Sequence, residues 1–241
     1  MTPGFLAISL LIATSVACGG GSPTTPSPQS DPLPSVRGTW VDAPPTTIGT
    51  VEGNPRGNTF PFGGTGGVTF PGTTYQQVYL ASLFGSGQVR LTAIEFFAAP
   101  SNGTREVVPA NYTLSLSTTA RAVDALDTVN LASNVGANQQ VVFSAALGPG
   151  AIVDSRLRLT FSNPYTFAPA SGNLLLQVGR SNPGPNTNGA GFLAHIPNDG
   201  FPPGLSSRAH DFGSNDIVSV YLVTRFHQQR CQCPADAPCT C

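Results

Sequence analysis

Four cysteines near the end of the 241-residue chain have the types and spacing best suited to chemistry. They follow the pattern C-x-C-x5-C-x-C and are Cys231, Cys233, Cys239 and Cys241. In an oxidising compartment such thiols pair as disulfides, and the two prolines between the inner cysteines could turn the chain into a nested hairpin. That hairpin joins Cys233 to Cys239 and Cys231 to Cys241, although other pairings remain open. Alternatively, the four thiolates could hold Zn²⁺ or Cu⁺, but structural zinc sites usually show C-x2-C spacing. Free thiols, or disulfides between molecules, are the third alternative.

The fifth cysteine, Cys18, follows an apolar run at residues 5–16 that is too short to remain as a transmembrane helix. The segment Ser15-Val-Ala-Cys18 resembles the lipobox of bacterial lipoproteins. By that resemblance, residues 1–17 are a signal peptide and Cys18 becomes an acylated amino terminus held in a membrane. Residues 18–36 are rich in Gly, Ser, Thr and Pro, which predicts an extended tether. An ordinary signal peptide with a free Cys18, or an apolar core strand, are the alternatives.

Other residues that could support catalysis do not form a recognisable motif. His195, His210 and His227 lie on separate segments without ligand-pair spacing, so we expect locally bonded surface histidines. No G-x-S-x-G segment marks a serine nucleophile. Glu95 lies in an apolar run, so it is either buried or faces solvent on the outer face of a sheet, and we expect the second. We therefore predict no catalytic residue, with a hydrolase that uses a pair of carboxylates as the third-ranked function.

The composition excludes some functions and favours a class of fold. Charged residues make up 10% of the chain and the net charge is −1, so no long-range field favours nucleic acid. All 11 basic residues are arginine. The 27 glycines and 23 prolines break helices and make turns, whereas the hydrophobic content of 40% is too high for disorder throughout. This balance is typical of many short strands joined by turns.

Hydrophobic alternation locates these strands. In residues 112–118 it places Tyr112, Leu114, Leu116 and Thr118 on one face, and in residues 218–226 it directs Val218, Val220, Leu222 and Phe226 inward. Further strands are predicted at 75–84, 89–98, 140–147, 156–162, 173–178 and 191–196. Residues 119–131 are predicted to be either a short helix or a loop. The whole is predicted to be all-β, an antiparallel two-sheet β-sandwich of jelly-roll type spanning 37–228, with residues 229–241 as a Cys-rich appendage.

A series of short phrases occurs in a fixed order along the folded part of the chain. The phrases are FPFG at 60–63, YQQVY at 75–79, SLF at 82–84, IEFF at 94–97, YTLSLSTT at 112–119, LASNVG at 131–136, VFS at 142–144, FAPASGNLLL at 167–176, SR at 207–208 and LVTRF at 222–226. In this order they resemble the globular part of secreted bacterial proteins of the PEP-CTERM sorting class. The resemblance covers residues 58–227, but the Cys-rich end replaces the carboxy-terminal sorting signal of that class. It implies an exported β domain, without assigned catalytic residues, that is associated with surface and matrix.

Together these expectations describe a non-enzymatic lipoprotein at the outer membrane or cell surface, acting in adhesion or in envelope or extracellular-matrix structure. The alternative is a carbohydrate-binding module for exopolysaccharide. We expect no cofactor and no nucleic-acid partner. The expected partners are the membrane, through the lipid on Cys18, and a surface polysaccharide or another surface protein.

Overall fold

Strands dominate the regular structure of the chain, as its turn-rich composition predicts. The structure, a computed structural model, describes residues 36–52, 57–63, 74–100, 106–184, 189–195, 204–211, 220–233 and 239–241. The predicted signal peptide, Cys18 and nearly all of the predicted tether lie outside the described residues. So does Val218, which the sequence places on an inward face.

Fourteen strands and three short 3-10 helices lie within the described residues. The strands are β1 (Val36–Arg37), β2 (Thr39–Ile48), β3 (Gly57–Asn58), β4 (Thr74–Tyr79), β5 (Val89–Phe97), β6 (Ala110–Thr119), β7 (Gln140–Leu147), β8 (Arg156–Phe167), β9 (Asn173–Ser181), β10 (Phe192–His195), β11 (Ser206–His210), β12 (Tyr221–Leu222), β13 (Thr224–Gln232) and β14 (Cys239–Thr240). The 3-10 helices are Ala81–Phe84, Leu131–Asn134 and Pro169–Ser171.

Two antiparallel sheets confirm the predicted β-sandwich. Among the described residues, one sheet has the strand order β2-β13-β5-β8 and the other β11-β4-β9-β6-β7. Consecutive strands of these two sheets lie in alternate sheets. The exceptions are β6 and β7, which form a hairpin in one sheet, and β11, which is added at the edge of the sheet that already holds β9. This is the arrangement of a jelly roll. A smaller set, β12-β10-β3, and the parallel pair β1–β14 complete the described pairing.

The alternating segment at 112–118 lies in β6 and contributes to the core as predicted. Tyr112, Leu114 and Leu116 are fully buried between the two sheets. Ser115 on the opposite face is also buried, because the loop before β7 covers it and the Gln139 amide donates a hydrogen bond of 2.8 Å to its hydroxyl. The outer face is therefore covered at Ser115 and Ser117, whereas Asn111 and Thr113 remain exposed.

Aromatic rings connect the two sheets. Tyr79 of β4 meets Phe226 of β13 edge to face, with ring centroids 5.1 Å apart. Phe62, in the loop after β3, contacts Phe96 of β5 at 4.8 Å and Tyr112 of β6 at 5.4 Å. Such pairs add specific geometry to the burial of large apolar area, so these rings fix how one sheet sits on the other.

Buried tyrosines should make the fold sensitive to alkali. Burial raises the pKa of Tyr112 to about 12, and it also raises the pKa of Tyr75 and Tyr79. An unfolded tyrosine ionises near pH 10, so this contribution to stability is complete below about pH 10 and is lost as the pH rises toward the folded pKa. We expect tyrosinate absorbance to develop together with loss of near-ultraviolet circular dichroism. Ionisation of these tyrosines near pH 10 in a chain that stays folded would contradict this.

Some local features decide an open alternative or differ from the sequence expectations. The segment 119–131 is a loop with turns, and the Leu131–Asn134 3-10 helix begins at its end, so the loop alternative is correct. β2 was not predicted because it contains Pro44 and Pro45. Both prolines lie at a register shift of β2 against β13, on an edge strand where a missing N–H is tolerated.

The predicted boundary at 228/229 also falls inside a strand. β13 continues to Gln232, and Cys231 pairs with Trp40 of β2. The first four residues of the predicted appendage therefore belong to the sandwich. Hydrophobic alternation could not locate this end because backbone pairing with β2, rather than core packing, holds it.

Candidate functional site

Glu95 of β5 is a buried carboxylate on the outer face of the four-stranded sheet. Its neighbours Ile94 and Phe96 point into the core, so Glu95 points outward as expected, but its side chain is only 4% exposed. The expectation of solvent exposure is therefore wrong. The reason lies in the adjacent strands, where Arg158 of β8 and Arg225 of β13 stand in register on either side of it.

Three side chains surround this carboxylate. The Arg158 and Arg225 guanidiniums each lie 3.5 Å from one carboxylate oxygen, Oε1 and Oε2 respectively. His227 Nε2 lies 3.0 Å from Oε1, although the alignment is not that of a hydrogen bond. Opposite charges on neighbouring strands stabilise a sheet, and two of them offset the cost of burying Glu95.

Two arginine side chains lie over the ring of Phe97, which follows Glu95 by two residues on β5. The Arg225 guanidinium lies 5.0 Å and the Arg156 guanidinium 6.0 Å from the ring centroid. Arg225 also donates a hydrogen bond of 3.0 Å from Nε to the Thr47 hydroxyl on β2. These contacts hold the cationic groups in place above the sheet, as expected for guanidiniums stacked on an aromatic face.

These groups line a two-lobed cavity on the outer sheet face, which we call the arginine cleft. The larger lobe, about 390 Å³, includes Glu52, Phe97 and Arg225 in its wall. The smaller lobe, about 280 Å³, includes Glu95 and Arg158. Asp154 and Arg156 line both lobes, so the two adjoin. A concave site with converging polar groups is the usual form of a small-molecule binding site.

Sequence reasoning missed the arginines of this cleft, although a signal for two of them was present. The strand segment Arg156-Leu-Arg158-Leu alternates, which places both arginines on one face and both leucines in the core. Arg225 could not be assigned in the same way. Its place beside Glu95 depends on the pairing of β13 with β5, and the two strands are separated by more than 100 residues.

The three histidines all lie on strands and do not converge. His195 on β10 is buried at 1% exposure, not on the surface, and its Nε2 accepts a hydrogen bond of 2.8 Å from the Thr50 amide. His210 on β11 packs edge to face on Phe60, and His227 joins the Glu95 cluster. Within the described residues, no group of three His, Cys, Asp or Glu side chains is arranged to hold a metal ion.

The cysteine-rich end is closed by a disulfide between Cys231 and Cys241, with Cα atoms 5.9 Å apart. Cys233 is also disulfide-bonded. The backbone of Cys239 lies in β14, opposite Val36 of β1. An oxidised pair cannot supply thiolates, so this arrangement supports the disulfide alternative over a four-thiolate metal site.

Loss of this bridge should destabilise the chain measurably. The Cys231–Cys241 bridge closes a loop of sequence separation 10, for which chain entropy predicts about 2–3 kcal/mol of stabilisation. We expect the paired replacement Cys231→Ser with Cys241→Ser to lower the free energy of unfolding by that amount in denaturant titrations. Cys18→Ser is the control and should leave stability unchanged. Equal stability of the double variant and the parent would contradict a disulfide at this position.

Comparisons with known proteins identify no relative. Among the described residues, no helix is both long enough and apolar enough to cross a membrane. No protein-family model, no curated protein and no solved structure matches the chain significantly.

Proposed function

We propose that this chain is an exported, lipid-anchored surface protein whose β-sandwich serves attachment or structure in the cell envelope or extracellular matrix. The observation that carries the proposal is the disulfide-closed corner at which the two ends of the sandwich meet. β1 begins at Val36, the last residue of the predicted tether, and pairs in parallel with β14, while Cys241 beside β14 is bonded to Cys231 in β13.

This corner suits both the compartment and the task. Structural disulfides persist outside the reducing cytosol, which agrees with the signal-like amino terminus. A pull on the tether reaches β1 and passes along the backbone through Gly38 into the edge strand β2. The β1–β14 pairing and the Cys241–Cys231 disulfide give this end of the chain a second connection, to β13, which lies between β2 and β5. We expect this second connection to share the load that would otherwise peel β2 from the sheet.

Cell fractionation of a bacterial host with a lipoprotein pathway tests the proposal. We expect the full chain in the membrane fraction, cut before Cys18, labelled by a radioactive fatty acid and accessible to protease on intact cells. Cys18→Ala should abolish labelling and release the protein from the membrane. Ser15→Leu, which changes a residue of the same segment but keeps the cysteine, is the matched control and should remain anchored.

Two results would contradict the proposal. Accumulation of the uncut chain in the cytosol would contradict export. Turnover by the purified chain on a panel of hydrolase substrates, lost in Glu95→Gln, would contradict a non-catalytic role.

A further inference from the structure

The ionisable groups of the arginine cleft balance in charge. Its walls hold the guanidiniums of Arg156, Arg158 and Arg225 and the carboxylates of Glu52, Glu95 and Asp154. His227 lies against Glu95 from β13. A ligand of either charge gains little net attraction from such a wall, because favourable and unfavourable contacts offset each other. The composition therefore favours an electrically neutral ligand.

Glu95 supplies a fixed negative charge to the smaller lobe. Its side chain is only 4% exposed, and Oε2 is closed to solvent and lies 3.5 Å from Arg225 as an ion pair. Arg158 lies 3.5 Å from Oε1. A ligand in this lobe therefore meets the carboxylate together with the arginines that neutralise it, and not as an isolated charge.

Arg156 offers the complementary group. Among the described residues, no carboxylate lies within ion-pair distance of its guanidinium, which rests on the Phe97 ring. A guanidinium carries five N–H donors in a fixed fork, and the ring beneath it limits its motion before any ligand arrives. Arg156 lines both lobes together with Asp154. Donors and acceptors thus alternate along the wall shared by the lobes.

We propose that the arginine cleft binds a neutral polyhydroxylated ligand, a sugar unit that is either free or part of a polysaccharide. A hydroxyl both donates and accepts, so neighbouring hydroxyls can donate to Asp154 while accepting from Arg156. Phe97 is 3% exposed beneath the arginines, so recognition here is polar and involves no ring stacking. This deepens the proposed attachment role by naming what the sandwich attaches to, and it rests on that role for its biological setting.

Binding of the purified full chain to neutral sugars tests the inference. The free probes are glucose, galactose, mannose and N-acetylglucosamine, measured by saturation-transfer nuclear magnetic resonance. The polymer probes are dextran, amylose and galactomannan, measured by affinity electrophoresis. We expect binding to at least one probe, and a change of less than about twofold in affinity when the salt concentration rises tenfold. Binding of a free sugar would show that a single sugar unit is the ligand. Retardation by polymers alone would show that the ligand is a polysaccharide. Either result supports the site.

Two variants locate the binding in the cleft. Arg156→Gln should weaken it by about tenfold, because a charge-assisted hydrogen bond is lost. Asp154→Asn should weaken it by about fivefold or more, and asparagine tolerates the left-handed backbone of Asp154, where φ is 49°. Both positions are exposed, so the fold should survive both changes. Arg37→Gln, an exposed arginine on β1 outside the cleft, is the matched control and should bind normally.

The inference is overturned if no probe binds, or if both cleft variants bind as the parent does. These outcomes are separate from a failure of the proposed function. If the chain is anchored as proposed but binds no sugar, the sugar-binding inference fails and the proposed anchoring stands. If the chain binds sugar but is found uncut in the cytosol, the proposed anchoring fails and the sugar-binding inference stands.

Discussion

Replacing Phe62 with alanine should lower the free energy of unfolding by about 3–5 kcal/mol, the cost typical of removing a buried ring. Phe62 is fully buried and touches three aromatic rings, one from each sheet and a third from β10, Phe192, at 5.4 Å. The two sheets cannot close the resulting cavity without moving relative to each other. Denaturant unfolding of the purified chain, followed by circular dichroism, measures the loss.

Phe143→Ala is the matched control for this prediction. Phe143 lies on β7, at the edge of the five-stranded sheet, and is only half-buried. The same deletion there removes less contact and leaves a site open to water, so we expect about 1 kcal/mol. If the two variants lost equal stability, Phe62 would not be the ring that joins the sheets.

Gln77→Leu should destabilise the chain by about 3 kcal/mol even though it places an apolar side chain in the core. The Gln77 amide lies between the sheets and bonds both backbone groups of Leu222 on β12. Its Nε2 donates to the Leu222 carbonyl, and its Oε1 accepts from the Leu222 N–H, each at 3.0 Å. The Tyr75 hydroxyl donates to the same Oε1. Leucine would leave these buried partners without a hydrogen bond, and each such group costs about 1–3 kcal/mol.

Gln229→Leu provides the comparison. Gln229 on β13 donates a hydrogen bond of 3.0 Å to the Asp42 carboxylate, and this bond is exposed to solvent. Water can replace that bond, so the change should stay within about 0.5 kcal/mol. Hydrogen exchange adds a local measurement, because loss of the amide clamp should raise exchange at the Leu222 amide first. A stable Gln77→Leu variant with a protected Leu222 amide would contradict the clamp.

The strands that carry hydrophobic alternation could be predicted from the sequence. β7 has the predicted bounds, and β5 ends within one residue of its prediction. The alternation of residues 112–118 is reproduced in β6 because one face of that strand packs directly on the opposite sheet. Here the local pattern and the tertiary environment agree, so the two-residue period of hydrophobic residues was sufficient to predict the strand and its buried face.

Features held by distant backbone pairing could not be predicted in this way. β2 contains adjacent prolines and has little buried apolar surface, and it exists because β13 pairs with it. The Glu95 cluster has the same origin. The sequence near Glu95 shows an apolar strand, but the two arginines that pair with it come from β8 and β13, and only the sheet order brings them together.

The measurement that tests the account most directly is the intact mass of the protein extracted from the membranes of cells that produce it. The account predicts a chain that begins at Cys18, carries added acyl mass on that residue, and has lost two hydrogens for each disulfide at the carboxyl end. A full-length mass beginning at Met1, with all five cysteines reduced and no acyl group, would contradict it.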